Sequence, residues 1–148
     1  PVAARFEVHF LPNGAFLVDD TYNANPASVR EALKTIQTLK GNHRSVVVLA
    51  DMLELGDQAE RLHETVGSEA AATDVDRLFL KGSLSRSTAA GAIKGGMTEE
   101  RILFFEDPEE ILDDVLSFVE AGDWILVKGS RLMKMEEIVK KILDRTPA

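Results

Sequence analysis

Among these 148 residues there is no cysteine, and there is only one tryptophan and one tyrosine. Without thiols there is neither a disulfide nor a thiolate metal site, so an apolar core must hold the chain together. No apolar run approaches the roughly 18 residues that span a bilayer, and the N-terminus lacks the charged, apolar, then small-residue order of a secretory leader. Membrane insertion is therefore not expected, and the cytoplasm is the expected location. Basic residues are few: 17 Lys and Arg face 25 Asp and Glu, a formal charge of -8. That surplus repels a phosphate backbone and argues against nucleic acid as a partner. HExxH and comparable ligand spacings are missing, so no intrinsic metal site is expected. Also missing are GxxxxGK[ST], the loop that grips nucleotide phosphates, and a GxGxxG fingerprint after the first strand.

What is present suits one packed domain: 45% of the residues are hydrophobic, and the length matches a single compact unit. The chain opens at Pro1 on residues that already read as a strand, so further sequence is expected upstream. Phe6, Val8 and Phe10 alternate with polar residues, Pro12-Asn13-Gly14 supplies a turn, and Phe16-Leu17-Val18 resumes the apolar pattern, which predicts a hairpin. From Pro26 the period becomes helical through Val29, Leu33 and Ile36, with Gly41 as the stop. The alternation then repeats. Strands are predicted over 45–50, 77–80, 102–105 and 124–127, and helices over 58–73, 84–94, a stripe from Ile111 to Val119 ended by Gly122, and a last one lined by Met135, Ile138, Val139 and Ile142. Strands alternating with helices imply βαβ units, hence a three-layer α/β fold with a mostly parallel sheet and an antiparallel N-terminal hairpin strand.

In such a sheet, ligands gather outside the carboxyl ends of the strands, where loops meet helix N-termini. Those corners carry Asp19-Asp20-Thr21-Tyr22-Asn23, Asp51-Met52-Leu53-Glu54, Lys81-Gly82-Ser83, Glu106-Asp107 and Lys128-Gly129-Ser130-Arg131. One helix cap needs one Asp or Asn, whereas the first corner offers Asp19, Asp20, Asn23 and Asn25. Tyr22 reads equally as a lid over the sheet edge or as a ligand contact. In KGSR at 128–131, a glycine for close approach, a hydroxyl and two cations make an anion pocket. KGS recurs at 81–83, so the triplet alone is weak, and the second copy reads as a solvated turn. His63 reads as a surface or core-edge residue, His9 and His43 as surface residues, and the acids of EDPEEILDD as first-turn and solvated charges.

With DDTYNANPAS, VVVLADMLELGDQAERLHETVG and ILVKGSRLMKMEEIV in this order, nearly the whole chain resembles the C-terminal domain of the Mur ligases. The YNANP string favours the member that adds D-alanyl-D-alanine to UDP-N-acetylmuramoyl-tripeptide in peptidoglycan synthesis. The resemblance implies a Rossmann-like α/β domain of an ATP- and Mg2+-dependent amide ligase that works through an acyl phosphate. Its phosphate-gripping loop lies in a central domain and its UDP site in an N-terminal one, so this piece alone is expected to be inactive. By resemblance, Asp20 approaches the nucleotide ribose, with Tyr22, Asn23 and Asn25 shaping the adjoining surface. Lys128, Ser130 and Arg131 face the incoming dipeptide, and Asp51, Leu53 and Glu54 border the same cleft. Two other readings stay open. A freestanding nucleotide- or small-molecule-binding module has the same corners. A receiver domain would share the acid pair Asp19-Asp20 and Lys128, but it needs an aspartate where this chain has Leu80-Lys81-Gly82.

Overall fold

The computed structural model describes residues 6–147. In chain order the elements are β1 (Glu7–Phe10), β2 (Phe16–Asp20), α1 (Pro26–Lys40), β3 (Ser45–Ala50), α2 (Ala59–Ala72), β4 (Arg77–Lys81), α3 (Ser85–Lys94), β5 (Ile102–Phe104), α4 (Glu109–Phe118), β6 (Trp124–Lys128) and α5 (Glu136–Arg145). The strands form one sheet in the order β1-β2-β6-β3-β4-β5. β1 runs antiparallel to β2 through the predicted hairpin, and all other pairings are parallel. The expected three-layer α/β architecture is what the chain adopts.

Period-two side-chain alternation sorts the core into two slabs. Val47 and Leu49 of β3 point toward α1, α2 and α3, packing with Val29, Leu33, Ile36, Val66 and Ala92. Val46 and Val48 point the other way, toward α4 and α5, with Ile111, Leu112, Val115, Ile138 and Ile142. All six residues of β3 are buried, as a strand covered on both faces should be. Each fully buried aliphatic side chain contributes about 1.5–3 kcal/mol, which is how a chain without disulfides holds together. On the first slab α2 and α3 lie almost in backbone contact. A Cβ on Gly67 would stand 1.9 Å from the Thr88 carbonyl, and one on Gly91 would stand 1.8 Å from that of Glu64.

Two sequence expectations shift. The alternation of Val8 and Phe10 marks a strand but not a buried face: β1 is an edge strand, and these residues are 46% and 70% exposed. The helix carrying the stripe from Ile111 to Val119 ends at Phe118: Val119 N–H closes the last turn on the Val115 carbonyl, and amides beyond it are claimed elsewhere. Glu120 N–H donates to the Asp123 carboxylate at 2.8 Å, and Gly122 N–H donates to the Gly14 carbonyl at 2.9 Å. Among the described residues no helix is long and apolar enough to cross a membrane.

Candidate functional site

The sheet order sets the sequence of corners along the carboxyl rim: residues 19–25 after β2, 128–131 after β6, 51–54 after β3, 81–86 after β4 and 105–110 after β5. Segments over a hundred residues apart in sequence thus become neighbours.

The first two corners interlock. β2 and β6 pair in a register that sets Asp20 beside Lys128. Both side chains are buried, at 6% and 2% exposure, and Lys128 Nζ lies 3.0 Å from Asp20 Oδ2. The same ammonium donates to the Asn23 carbonyl at 2.8 Å, so it braces the loop as well as answering the acid. A buried ion pair is stable only with such extra hydrogen bonds, since taking both charges out of water costs several kcal/mol per ion. Outside this brace, the Arg131 guanidinium lies 5.6 Å from the centroid of the exposed Tyr22 ring. Asp20, Asn23 and Lys128 line a pocket of about 510 Å³ together with Ser28, Glu31 and Thr35 of α1.

The surplus of polar groups in DDTYNANP is now accounted for. Asp19 Oδ1 accepts from the Thr21 amide at 3.2 Å and from its hydroxyl at 2.7 Å, closing a local turn. Asn25 caps α1: its side chain accepts from Ser28 N–H at 2.9 Å, while Ser28 Oγ accepts from Asn25 N–H at 3.0 Å, a reciprocal capping box ahead of Pro26. Asp20 belongs to Lys128. That leaves the side chains of Tyr22 and Asn23 exposed at the rim.

In the next loop, Gly129 lets Met135 pack close, since a Cβ there would stand 2.5 Å from Met135 Cγ. Ser130 and Arg131 begin a short 3-10 turn over Arg131–Met133, and the buried Ser130 Oγ has no hydrogen-bond partner among the described residues. Lys81, reaching across from β4, donates to the Met133 carbonyl at 3.2 Å and ties this turn to the neighbouring corner.

Asp51, at the end of β3, is buried and faces sideways along the rim. Its carboxylate oxygens accept from Leu84 N–H at 3.2 and 3.0 Å, directly before α3. Glu54 sits in the left-handed region at φ 61° with its side chain exposed, and Leu53 is half-buried beside it. His63 holds this loop from below. It is 1% exposed, with Met52 N–H donating to Nε2 at 3.0 Å and Nδ1 2.7 Å from the Ala59 carbonyl, so both ring nitrogens are used. Sequence reasoning put His63 at the surface or the core edge. Its i+4 spacing from Ala59 was the available sign of a brace, but the partner amide eleven residues back was not legible.

At the last corner, Glu110 Oε1 accepts from the amides of Glu106 and Asp107 at 2.8 and 2.9 Å, which holds its carboxyl below the usual range. Away from the rim pockets, Glu7, His9 and Asp19 on the hairpin bring donor atoms within 4.8 Å of one another. Glu7 and Asp19 are cross-strand partners, and an exposed group of this kind is ordinary on a protein surface. The rim can therefore do two things chemically: present a braced acid and an aromatic–arginine pair at one end, and donate hydrogen bonds to anions from its hydroxyls and helix starts.

Comparison with known proteins gives a coherent set of similarities. A profile of the Mur ligase, glutamate ligase domain matches residues 4–131. The chain is 36% identical over 140 residues to the UDP-N-acetylmuramoyl-tripeptide–D-alanyl-D-alanine ligase of Bacillus subtilis, covering 95% of this chain and 30% of that protein. It is 34% identical over 141 residues to the Escherichia coli ligase of the same name, covering 90% of this chain and 28% of that protein. Among solved structures, the MurF ligase of Thermotoga maritima in complex with ADP superposes with a TM-score of 0.82 at 25% identity, over 99% of this chain and 32% of that one. MurF from Acinetobacter baumannii superposes at 0.79 and 26% identity, over 95% and 30%. The chain spans about 30% of the length of the first curated relatives it matches.

Proposed function

The chain belongs to the Mur ligase family through its glutamate ligase domain, and from that premise we propose that it is the C-terminal, closing domain of a ligase that joins D-alanyl-D-alanine to UDP-N-acetylmuramoyl-tripeptide. The observation that carries this reading is the interlocked rim. Asp20, Lys128 and the Asn23 carbonyl form one braced unit with Arg131 over Tyr22 beside it, in a chain aligned almost end to end with ligases of that name.

In this reading Tyr22, Asn23 and the Asp20 carboxylate face the nucleotide held by a central domain, and Asn25 shapes that face by fixing the start of α1. Lys128 acts from within, holding Asp20 and the Asn23 carbonyl in place rather than reaching outward. Ser130 and Arg131, with Leu53 and Glu54 across the rim, meet the incoming dipeptide where the bond is made, and Asp51 holds the adjoining corner. In such a ligase ATP would supply the phosphoryl group that turns the tripeptide carboxylate into an acyl phosphate, Mg2+ held outside this domain would offset the phosphate charge, and the dipeptide amine would displace phosphate. The residues here do not fit the phosphate and metal end of that chemistry: GxxxxGK[ST] is absent from the chain, and Asp20 is already matched by Lys128. What this domain contributes is orientation of the amine and exclusion of water from a hydrolysable intermediate. A UDP-linked substrate places the reaction in the cytoplasm, with the central and N-terminal domains as the partners of this one.

Phosphate release tests the proposal. The full-length protein carrying this chain is expected to release phosphate from ATP only when both UDP-N-acetylmuramoyl-tripeptide and D-alanyl-D-alanine are supplied, and the 148-residue chain alone is expected to show no turnover and no ATP heat by calorimetry. Micromolar ATP binding by the isolated chain would instead favour a freestanding nucleotide-binding module. Release that ignores the dipeptide would remove the assignment.

A further inference from the structure

β1 closes one side of the sheet and takes no part in the function proposed above. Its outer edge is unpaired among the described residues. In an antiparallel pair, alternate residues turn their backbone groups toward the partner strand and away from it. Leu11 N–H donates to the Ala15 carbonyl at 2.8 Å, in the register that sets His9 opposite Leu17 and Glu7 opposite Asp19, so residues 7, 9 and 11 bond to β2. Val8 and Phe10 therefore turn their N–H and C=O groups to the free edge. Their exposed side chains stand on the sheet face that carries α1, because Val8 lies opposite Val18 and Phe10 opposite Phe16. The Phe10 ring is 5.2 Å from that of Phe16, which stacks on Trp124 at 4.4 Å, an aromatic row that runs out to the edge.

Edge strands are commonly blunted by lysine, proline or a bulge. β1 is short, but it carries neither lysine nor proline, and its register with β2 is unbroken. Its sequence reads alike in both directions. Phe6-Glu7-Val8-His9-Phe10 puts apolar residues at the ends and the middle, and an acid and an imidazole at mirror positions. Laid antiparallel about Val8, two copies set Val8 against itself and Glu7 opposite His9 of the partner subunit. Residues directly opposite must both turn their backbone groups inward to bond, and the outward-turned groups of Val8 satisfy that rule. Glu7 and His9 share the other face, where His9 Nε2 lies 3.4 Å from Glu7 Oε1, so the same two groups are placed to pair across the joint.

We propose that β1 is an interface between two copies of this chain, joined antiparallel at Val8 into one continuous sheet. A two-fold axis through Val8, normal to the sheet, makes the contact self-complementary and closed. The α1 layers then lie on the same side of the joint sheet. The two carboxyl rims point in opposite directions, so the corners described above stay open to other domains. One four-residue strand is a small contact, so the association is weak and depends on concentration.

Sedimentation equilibrium of the full-length protein carrying this chain is expected to show monomers giving way to dimers by about 100 µM. Val8→Lys sets two ammonium groups together at the axis and should weaken the dimer more than about tenfold. His9→Glu sets like charges opposite each other twice and should weaken it about tenfold, while adding Glu7→Lys to that variant should restore it. Phe104→Lys, at an exposed position on the opposite edge strand β5, should change nothing. Hydrogen exchange reads the edge itself, with protection of the Val8 and Phe10 amides rising as protein concentration rises. A monomer at every concentration would overturn the proposal, as would a dimer indifferent to Val8→Lys, one lost in Phe104→Lys, or a charge exchange that restores nothing. Protection of Val8 and Phe10 in a monomer, independent of dilution, would do the same by showing that another part of the polypeptide covers the edge. None of these outcomes touches the ligase assignment, which stands or falls on phosphate release.

Discussion

At the ends of β2 and β6 a covered carboxylate and a covered ammonium lie 3.0 Å apart and answer each other, whereas at the end of β4 a covered hydroxyl meets nothing among the described residues. Both places begin with the same three letters, Lys-Gly-Ser, at 128–130 and 81–83. Register explains why they end differently. The cross-strand partner of Lys128 is Asp20, so its charge turns inward and is consumed by the fold. The partner of Lys81 on β3 is Ala50, which offers no charge, and Lys81 reaches instead to the Met133 carbonyl. A motif of this size thus takes its role from the strand beside it. The rim holds one charge pair that the protein completes for itself, beside hydroxyls of Ser130 and Ser85 that have no partner among the described residues.

The largest expected effect breaks the completed half. Replacing Lys128 with Met keeps the stem and removes the charge, stranding the Asp20 carboxylate under cover and freeing the Asn23 carbonyl. Such losses cost about 3–5 kcal/mol, while removing both charges together is far milder. Denaturant unfolding should show Lys128→Met losing that much and the double variant with Asp20→Asn recovering most of it. A single-variant loss below about 1 kcal/mol, the range of an exposed pair, would mean the brace is idle. Next in size is Gly82→Ala at the other corner. Gly82 has φ +121°, and a Cβ there would stand 2.3 Å from the Asp51 carboxyl carbon. The methyl group would displace the carboxylate that caps Leu84, so the strained backbone and the lost cap together should cost about 2–3 kcal/mol. Wild-type stability in this variant would show that the Asp51 cap does not hold the open corner in shape.

How much of this was legible follows the same division. The hairpin, the strand–helix alternation and both core slabs were readable, because periodicity and glycine or proline stops are local signals. β3, with its continuous SVVVLA, announced its burial on both faces. The gathering of functional corners at the carboxyl ends was also readable, since it follows from strand direction. Insertion of the last strand between β2 and β3 was not, and that one topological fact pairs Asp20 with Lys128. Lys128 therefore read as an outward-facing cation. Asn25 and Asp19 were named as surplus polar groups, but their division into a cap and a turn depended on φ and ψ that composition does not specify. The orphaned hydroxyls of Ser85 and Ser130 were hidden because a serine at a turn or helix start is ordinary, and burial without a partner emerges only from packing.

The smallest effect tests whether matching alone, without burial, accounts for the strength of the first corner. Glu109 of α4 is fully matched too, by Arg145 at 2.5 Å and Lys141 at 2.7 Å on α5, but it is exposed. Hydrogen bonds first from Arg145 and then from Lys141 hold its carboxyl down from 4.5 to about 2. A depressed carboxyl stabilises the fold fully above its unfolded value and loses that contribution as pH falls through the folded one. The contribution should therefore be complete above pH 4.5, fade below it and vanish near pH 2. Comparing wild type with Glu109→Gln by thermal unfolding across that window should reveal a small gap that closes on acidification, and also closes on adding salt because solvent ions screen exposed charges. A gap as large as that of Lys128→Met, or one indifferent to salt, would show that matched charge suffices by itself and that burial is not what separates the braced corner from the surface.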